Sequence, residues 1–169
     1  MTGVSIRLAT SDDAKAVASI YTHHVLHGTA TFDTDPPPVD FWTDRIAAIT
    51  ARDWPFLVAE SGIDMLGYAY ATQFRDRAAY ARTCENSIYI RADSMGQGVG
   101  STLMIALLEA AISSGFSEMI AVIGGGEPAS VALHAKAGFH HAGRMERVGE
   151  KFGRLLDTVY MQRSLADPT

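Results

Sequence analysis

Gly96, Gly98 and Gly100 stand at alternate positions between two runs of different character. Before them, Ser87 to Ile90 are strand-forming, with Glu85 at the start of that run. After them, Leu103, Met104, Leu107, Leu108, Ala111 and Ile112 recur at helical spacing and mark one buried face. Glycines at such a junction let the backbone approach a ligand closely, and the helix that follows points free N–H groups toward it. The chemistry this suits is binding of a phosphate or pyrophosphate. A P-loop would carry lysine at the helix start, where Gly100 is followed by Ser101 and Thr102. A dinucleotide fold would place an acid about 20 residues on at a strand end. Glu118 is near that distance but precedes the next strand, Met119 to Ile123.

Two further groups invite a chemical reading. His23, His24 and His27 cluster at the end of a helical stretch, but no cysteine or well-spaced carboxylate completes a metal site, and no metal is expected. A helix C-terminus favours histidine on electrostatic grounds alone. Ser130 and His134 are four residues apart and so share a face of a short helix.

The elements that position these residues follow from the patterning. Ser5 to Ala9 reads as a strand. Thr10 or Ser11 can cap a helix with Asp12 and Asp13 in its first turn and a stripe of Ala16, Val17, Ile20, Tyr21 and Val25. Gly28 to Pro38 is a loop in which Phe32 is the large side chain. Val39 opens a second helix with Phe41, Trp42, Ile46 and Ile49 as its buried stripe. Phe56 to Glu60 and Met65 to Phe74 form a hairpin, and Arg75 to Tyr80 a polar connection. After the long helix and the strand at Met119, a short helix runs from about Pro128 to Ala137, with Gly138 as its C-terminal cap. Phe139 to Glu150 and Arg154 to Ser164 close the chain as a hairpin. The expected class is α/β: one domain over 1–169, core about 6–165, with a mixed, mostly antiparallel central sheet flanked by helices.

Composition bounds the function. At 169 residues, 47% of them hydrophobic and 20% charged, the chain suits one globular domain. A net charge of −5 with no basic run argues against nucleic acid. No leader-like or membrane-length apolar stretch is present, and the single cysteine, Cys84, cannot form an internal disulfide. A cytoplasmic location and no membrane partner are the expectations.

The glycine stretch resembles the pyrophosphate loop of the GNAT acetyltransferases, in which Gln/Arg-x-x-Gly-x-Gly is usual; Met95 stands in the first slot here. Leu133-His134-Ala135-Lys136-Ala137-Gly138-Phe139 is similar to that family's Leu-His/Tyr-x-x-x-Gly-Phe. Thr29 to Asp33, Phe74 to Arg77 with Tyr80, Glu85 to Tyr89 and Lys151 to Asp157 resemble the branch acting on phosphinothricin, methionine sulfoximine and methionine sulfone. The likeness runs from about Ile6 to Leu165.

The resemblance implies an acetyl-CoA-dependent N-acetyltransferase that transfers directly to the α-amino group of such an amino-acid analogue. An ammonium cannot attack a thioester, so a base must take its proton and a donor must receive the thiolate. Glu85 is the implied base. His134 is implied as acid or assisting base, and it equally suits a structural histidine satisfied by a carbonyl. Coenzyme contacts are implied at Ile88, Tyr89, Ile90, Gly96, Gln97, Gly98, Val99, Gly100, Ser101, Glu127 and Ser130, with an amide of Tyr89 or Ile90 holding the thioester oxygen. Glu127 occupies a slot where the family usually has asparagine. Acceptor contacts are implied at Phe32, Arg75, Asp76, Arg77, Tyr80, Glu85, Asn86 and Ser87, with Arg75 and Arg77 able to pair with a carboxylate. A homodimer is implied too. Alternatives on the same residues are an acetyltransferase of protein N-termini or another amine, and an acetyl-CoA-binding module without turnover.

Overall fold

Two clusters of buried side chains form on opposite faces of one sheet, and each follows from a helical stripe. On the first face lies α3 (Val99–Ser113), which buries Val99, Leu103, Met104, Leu107, Leu108 and Ala111 against the sheet. On the second, α1 (Ala14–His27) and α2 (Val39–Thr50) bury Val17, Ile20, Tyr21, Val25, Trp42, Ile46 and Ile49. This computed structural model describes residues 3–166; residues 1, 2 and 167–169 of the expected domain lie outside the described residues.

The sheet has seven strands: β1 (Ser5–Leu8), β2 (Phe56–Ser61), β3 (Asp64–Gln73), β4 (Thr83–Ile90), β5 (Glu118–Gly124), β6 (His140–Lys151) and β7 (Arg154–Ser164). Their order is β1-β2-β3-β4-β5-β7-β6. Every pairing is antiparallel except β4 with β5. That parallel register covers Thr83↔Glu118, Cys84↔Met119 and Glu85↔Ile120. Beyond it β4 stays paired to β3 as far as Ile90↔Gly67, and β5 to β7 as far as Gly124↔Thr158. The two central strands therefore part, leaving a wedge bordered by α3 and the short helix α4 (Pro128–Lys136).

Element order agrees with the sequence reading, and the differences are local. Phe41 is 43% exposed, because Trp42, Ile46 and Ile49 complete the inward stripe of α2 and turn Phe41 toward solvent. Ile112 is likewise 50% exposed at the end of α3. Ala16 is only half-buried, whereas Ala14 and Ala18 join the α1 core. The first helix begins one turn later than expected, after a 3-10 turn at Ser11–Asp13.

Asp13 is consequently a buried anchor rather than a dipole charge. It accepts hydrogen bonds from Arg7 Nη1 and Nη2 at 2.8 and 2.9 Å and from the Thr10 amide at 2.8 Å. The Arg7 guanidinium holds this carboxyl below its ordinary 3.8. A depressed folded value means that the stability the carboxylate adds is full above the unfolded value and is lost as pH falls below it. Asp13→Ala should cost about 2 kcal/mol at neutral pH, as expected for losing charged hydrogen bonds and a cap. Urea unfolding checks this, and the gap to wild type should close in acid.

Candidate active site

The strand period of two sorts β4 between the faces. Cys84, Ile88 and Ile90 pack with α3, and Asn86 Nδ2 is 3.5 Å from Met119 Sδ on that side. Tyr89 packs with α1 and the tyrosines of β3 on the other, and Glu85 and Ser87 share its parity.

The main chain alternates in the same way. The Arg91 amide donates to Leu66 O at 2.8 Å and the Phe74 amide to Thr83 O at 2.9 Å, so odd-numbered residues of β4 bond to β3. The amides of Ile88 and Ile90 point to the wedge. Of the two amides expected to face a thioester oxygen, Tyr89 is thereby corrected: its N–H belongs to the β3 ladder, and Ile88 takes its place beside Ile90. His24 Nε2 donates to the Ile90 carbonyl at 2.7 Å, which ties α1 to the wedge.

Two abutting spaces occupy the wedge. The larger, about 520 Å³, is bordered by Ile88, Tyr89, Ile90, Gly96, Gly98, Gly100, Ser101, Glu127 and Ser130. The smaller, about 100 Å³, is bordered by Glu85, Asn86, Ser87, Val122, Ile123 and His134. Ala30, Ile88, Tyr89 and Ser130 border both. The structure thus brings the glycine loop, the β4 edge, the α4 start and Glu85 to one continuous opening.

The side chains of other expected site residues border neither space. Gln97 folds back so that its Nε2 donates to Asp93 O at 2.8 Å, and the Val99 side chain is buried in the core. Phe32, Asp76, Arg77 and Tyr80 border neither space. Tyr80 meets Phe74 edge-on at 5.8 Å, while the Arg75 and Arg77 carbonyls accept from Gln73 Nε2. Arg75 also borders neither space, but its Nη1 stands 3.8 Å from Glu85 Oε2 and its guanidinium stacks 4.0 Å from the Phe74 ring centre. The sequence reading missed Thr29, Ala30, Leu133 and Lys136 on the larger space, and it weighed His23, His24 and His27 as metal ligands or helix-end charges but not as lining of that space. Loop residues without a motif carry no periodic signal.

Burial pushes the Glu85 carboxyl up from its ordinary value, while Arg75 and Arg45 pull it down. His134 is 2% exposed. Its Nδ1 is 2.7 Å from Ser130 O and its Nε2 is 3.0 Å from Asn86 Nδ2. Because a carbonyl accepts only, Nδ1–H donates to it and Nε2 accepts from the amide, a tautomer set by the network. Burial lowers this imidazole's proton affinity. Both ring nitrogens are engaged within the protein, as the structural alternative for this histidine expects, and the ring also borders the smaller space.

A seven-stranded sheet with one short parallel pairing, flanked by helices and with a glycine loop at the N-terminus of α3, has the single-domain α/β fold of an acetyltransferase. The chain belongs to the acetyltransferase (GNAT) domain family, whose model matches residues 6–160, and it is an N-acetyltransferase. It is 45% identical over 162 residues to a phosphinothricin N-acetyltransferase of Alcaligenes faecalis, spanning 95% of this chain and 82% of that one. It is 40% identical over 169 residues to an L-methionine sulfoximine/L-methionine sulfone acetyltransferase of Pseudomonas paraeruginosa, spanning 98% and 96%. The crystal structure of a GNAT superfamily phosphinothricin acetyltransferase from Sinorhizobium meliloti in complex with AcCoA superposes with a TM-score of 0.94 at 40% identity, covering 100% of this chain and 94% of that one.

The glycine loop fits an anionic group. Gly98 has φ +85° and Gly96 φ +73°, and a Cβ built on either meets nothing within 4 Å, so the space above the loop is open to a ligand. Gly98→Val would place a β-branched residue in left-handed backbone, costing about 1–2 kcal/mol of stability, and put methyl groups into that space. The variant should remain folded and bind coenzyme A at least about tenfold more weakly by calorimetry. Unchanged affinity in the folded variant would remove the loop from the site.

Proposed function

We propose that this enzyme uses acetyl-CoA to acetylate the α-amino group of a small amino-acid analogue with a tetrahedral, oxygen-rich side chain, of the phosphinothricin, methionine sulfoximine or methionine sulfone type. The observation that carries this reading is the wedge itself. It joins a glycine loop suited to an anion on the α3 face to a half-buried carboxylate on the α1/α2 face. The names of the relatives support the acceptor class.

When bound, acetyl-CoA supplies an acetyl thioester. The amides of Gly96 to Ser101 hold the pyrophosphate at the helix start, where Met95 costs little because the contacts are main-chain. The Ile88 and Ile90 amides and the Ser130 hydroxyl would border the coenzyme arm, and an amide there would stabilise charge developing on the thioester oxygen. Glu85 takes the ammonium proton from the opposite face, with its raised proton affinity suited to that task. Arg75, beside Glu85, meets the acceptor carboxylate. His134 is a positioning residue: it holds Asn86, and thus the middle of β4, against α4. No residue is assigned to a metal.

We also place the enzyme in the cytoplasm as a homodimer. Among the described residues no helix is long and apolar enough to cross a membrane, and Cys84 is a buried free thiol. The edge hairpin β6–β7 leaves Met145, Val148, Phe152 and Leu155 exposed, an apolar surface suited to a second copy. Sedimentation equilibrium at micromolar concentration should give twice the chain mass, and Val148→Asp should shift it toward the monomer.

Two variants test the chemistry. Glu85→Gln keeps shape and removes the base, so kcat on the best of these acceptors should fall roughly 10²–10⁴-fold. Retention of nearly full kcat would overturn the assignment. Arg75→Ala should raise the acceptor KM and leave coenzyme affinity unchanged. It also removes a positive charge that lowers the Glu85 value, so that value rises further. Activity needs Glu85 unprotonated, and the acid limb of kcat/KM should therefore move to higher pH. A limb that stays in place would separate Arg75 from Glu85.

A further inference from the structure

Thr29 and Ala30 wall the larger space, and Ala30 borders the smaller one as well. They lie in a connection without helix or strand, so partners elsewhere must set their position. From α1, the Tyr21 hydroxyl is 2.7 Å from Thr31 Oγ1 and donates to Asp33 Oδ2 at 2.5 Å.

The end of β6 grips the same loop from the other side. Gly149 and Lys151 are two residues apart and point the same way from the strand. A Cβ on Gly149 would stand 2.3 Å from Phe32 Cε2, so the absent side chain is the slot the Phe32 ring fills. Lys151 is 4% exposed, and its Nζ donates to the Thr31 carbonyl at 2.9 Å. A buried ammonium is costly unless bonded and near compensating charge. Asp33 supplies the charge, and the Phe152 ring lies 5.1 Å from Nζ. Neither Gly149 nor Lys151 borders either space.

We infer that Gly149 and Lys151 form a latch on which Phe32 and the Thr31 carbonyl are seated, and that this latch sets the Thr29–Ala30 wall where acceptor and thioester meet. Both are positioning residues, and the inference rests on the acetyl-transfer reading above. Phe32 acts through this seat rather than by flanking the acceptor. Gly96, Gly98 and Gly100 border the same larger space from the start of α3, but neither latch residue borders it, so the coenzyme phosphates depend on the latch less than the acceptor does.

Lys151→Met keeps chain length and removes the donors, Lys151→Arg keeps donors, and Gly149→Ala drives Phe32 from its slot. For each, KM and kcat are measured with whichever amine the wild type turns over fastest, together with the calorimetric Kd of coenzyme A without acceptor. Lys151→Met and Gly149→Ala should raise the acceptor KM about tenfold or more while the coenzyme Kd moves less than about threefold. Lys151→Arg should recover much of the loss, and Phe32→Leu should partly restore Gly149→Ala by shrinking the displaced ring. An acceptor KM within twofold of wild type in folded Gly149→Ala overturns the latch. So does a rise of acceptor KM and coenzyme Kd by the same factor, the mark of general loosening. Should Lys151→Met not fold, the Gly149→Ala and Phe32→Leu pair decides alone. A best acceptor outside the proposed class would strike the functional reading and leave the latch test intact.

Discussion

The parting of β4 and β5 is the constraint on which the rest of the molecule depends. Two parallel strands that share three paired positions and then diverge would ordinarily leave main-chain groups without partners inside a domain, at a cost comparable to lost hydrogen bonds. Each strand keeps its other neighbour, β3 for β4 and β7 for β5, so the opening is braced on both sides. The groups exposed at the wedge become a rigid binding edge. Helix α3 starts beside it with its glycine loop, and α4 closes the same side.

Because side chains alternate along a strand, this edge connects two chemically different faces. Asn86, Ile88 and Ile90 look toward α3 and α4; Glu85, Ser87 and Tyr89 look toward α1 and α2. The carboxylate and the phosphate-suited loop are thus separated by the thickness of the sheet and meet only through the gap. Partial burial strengthens electrostatic effects on Glu85. The nearest arginine oxygen–nitrogen approach, 3.8 Å, is longer than a charged hydrogen bond, so Arg75 tempers the effect of burial without locking the carboxylate.

The imidazole of His134 illustrates how much of such a site is support. Its two nitrogens fix α4 to β4 through Ser130 and Asn86, and its ring meets Phe139 edge-on at 5.0 Å. A buried, doubly bonded histidine gives the middle of β4 a defined place at the wedge. The Arg7–Asp13 pair does similar work at the start of α1.

Element order, the three apolar helix stripes and the glycine loop were legible in the sequence because they depend on spacings of two to four residues along one chain. Resemblance of several short motifs in order was enough to place the family. Which amides face the wedge was not legible, since the choice of Ile88 over Tyr89 depends on the register between β3 and β4. Nor did the sequence separate Arg75, which approaches Glu85 from outside the two spaces, from Asp76, Arg77 and Tyr80, which also stand away from both spaces. The Lys151 contact with Thr31 spans 120 residues, and the Phe32 seat on Gly149 joins segments nearly as far apart. Local patterning decides which face of an element is apolar; only the packing of those faces decides which distant side chains and main-chain groups meet.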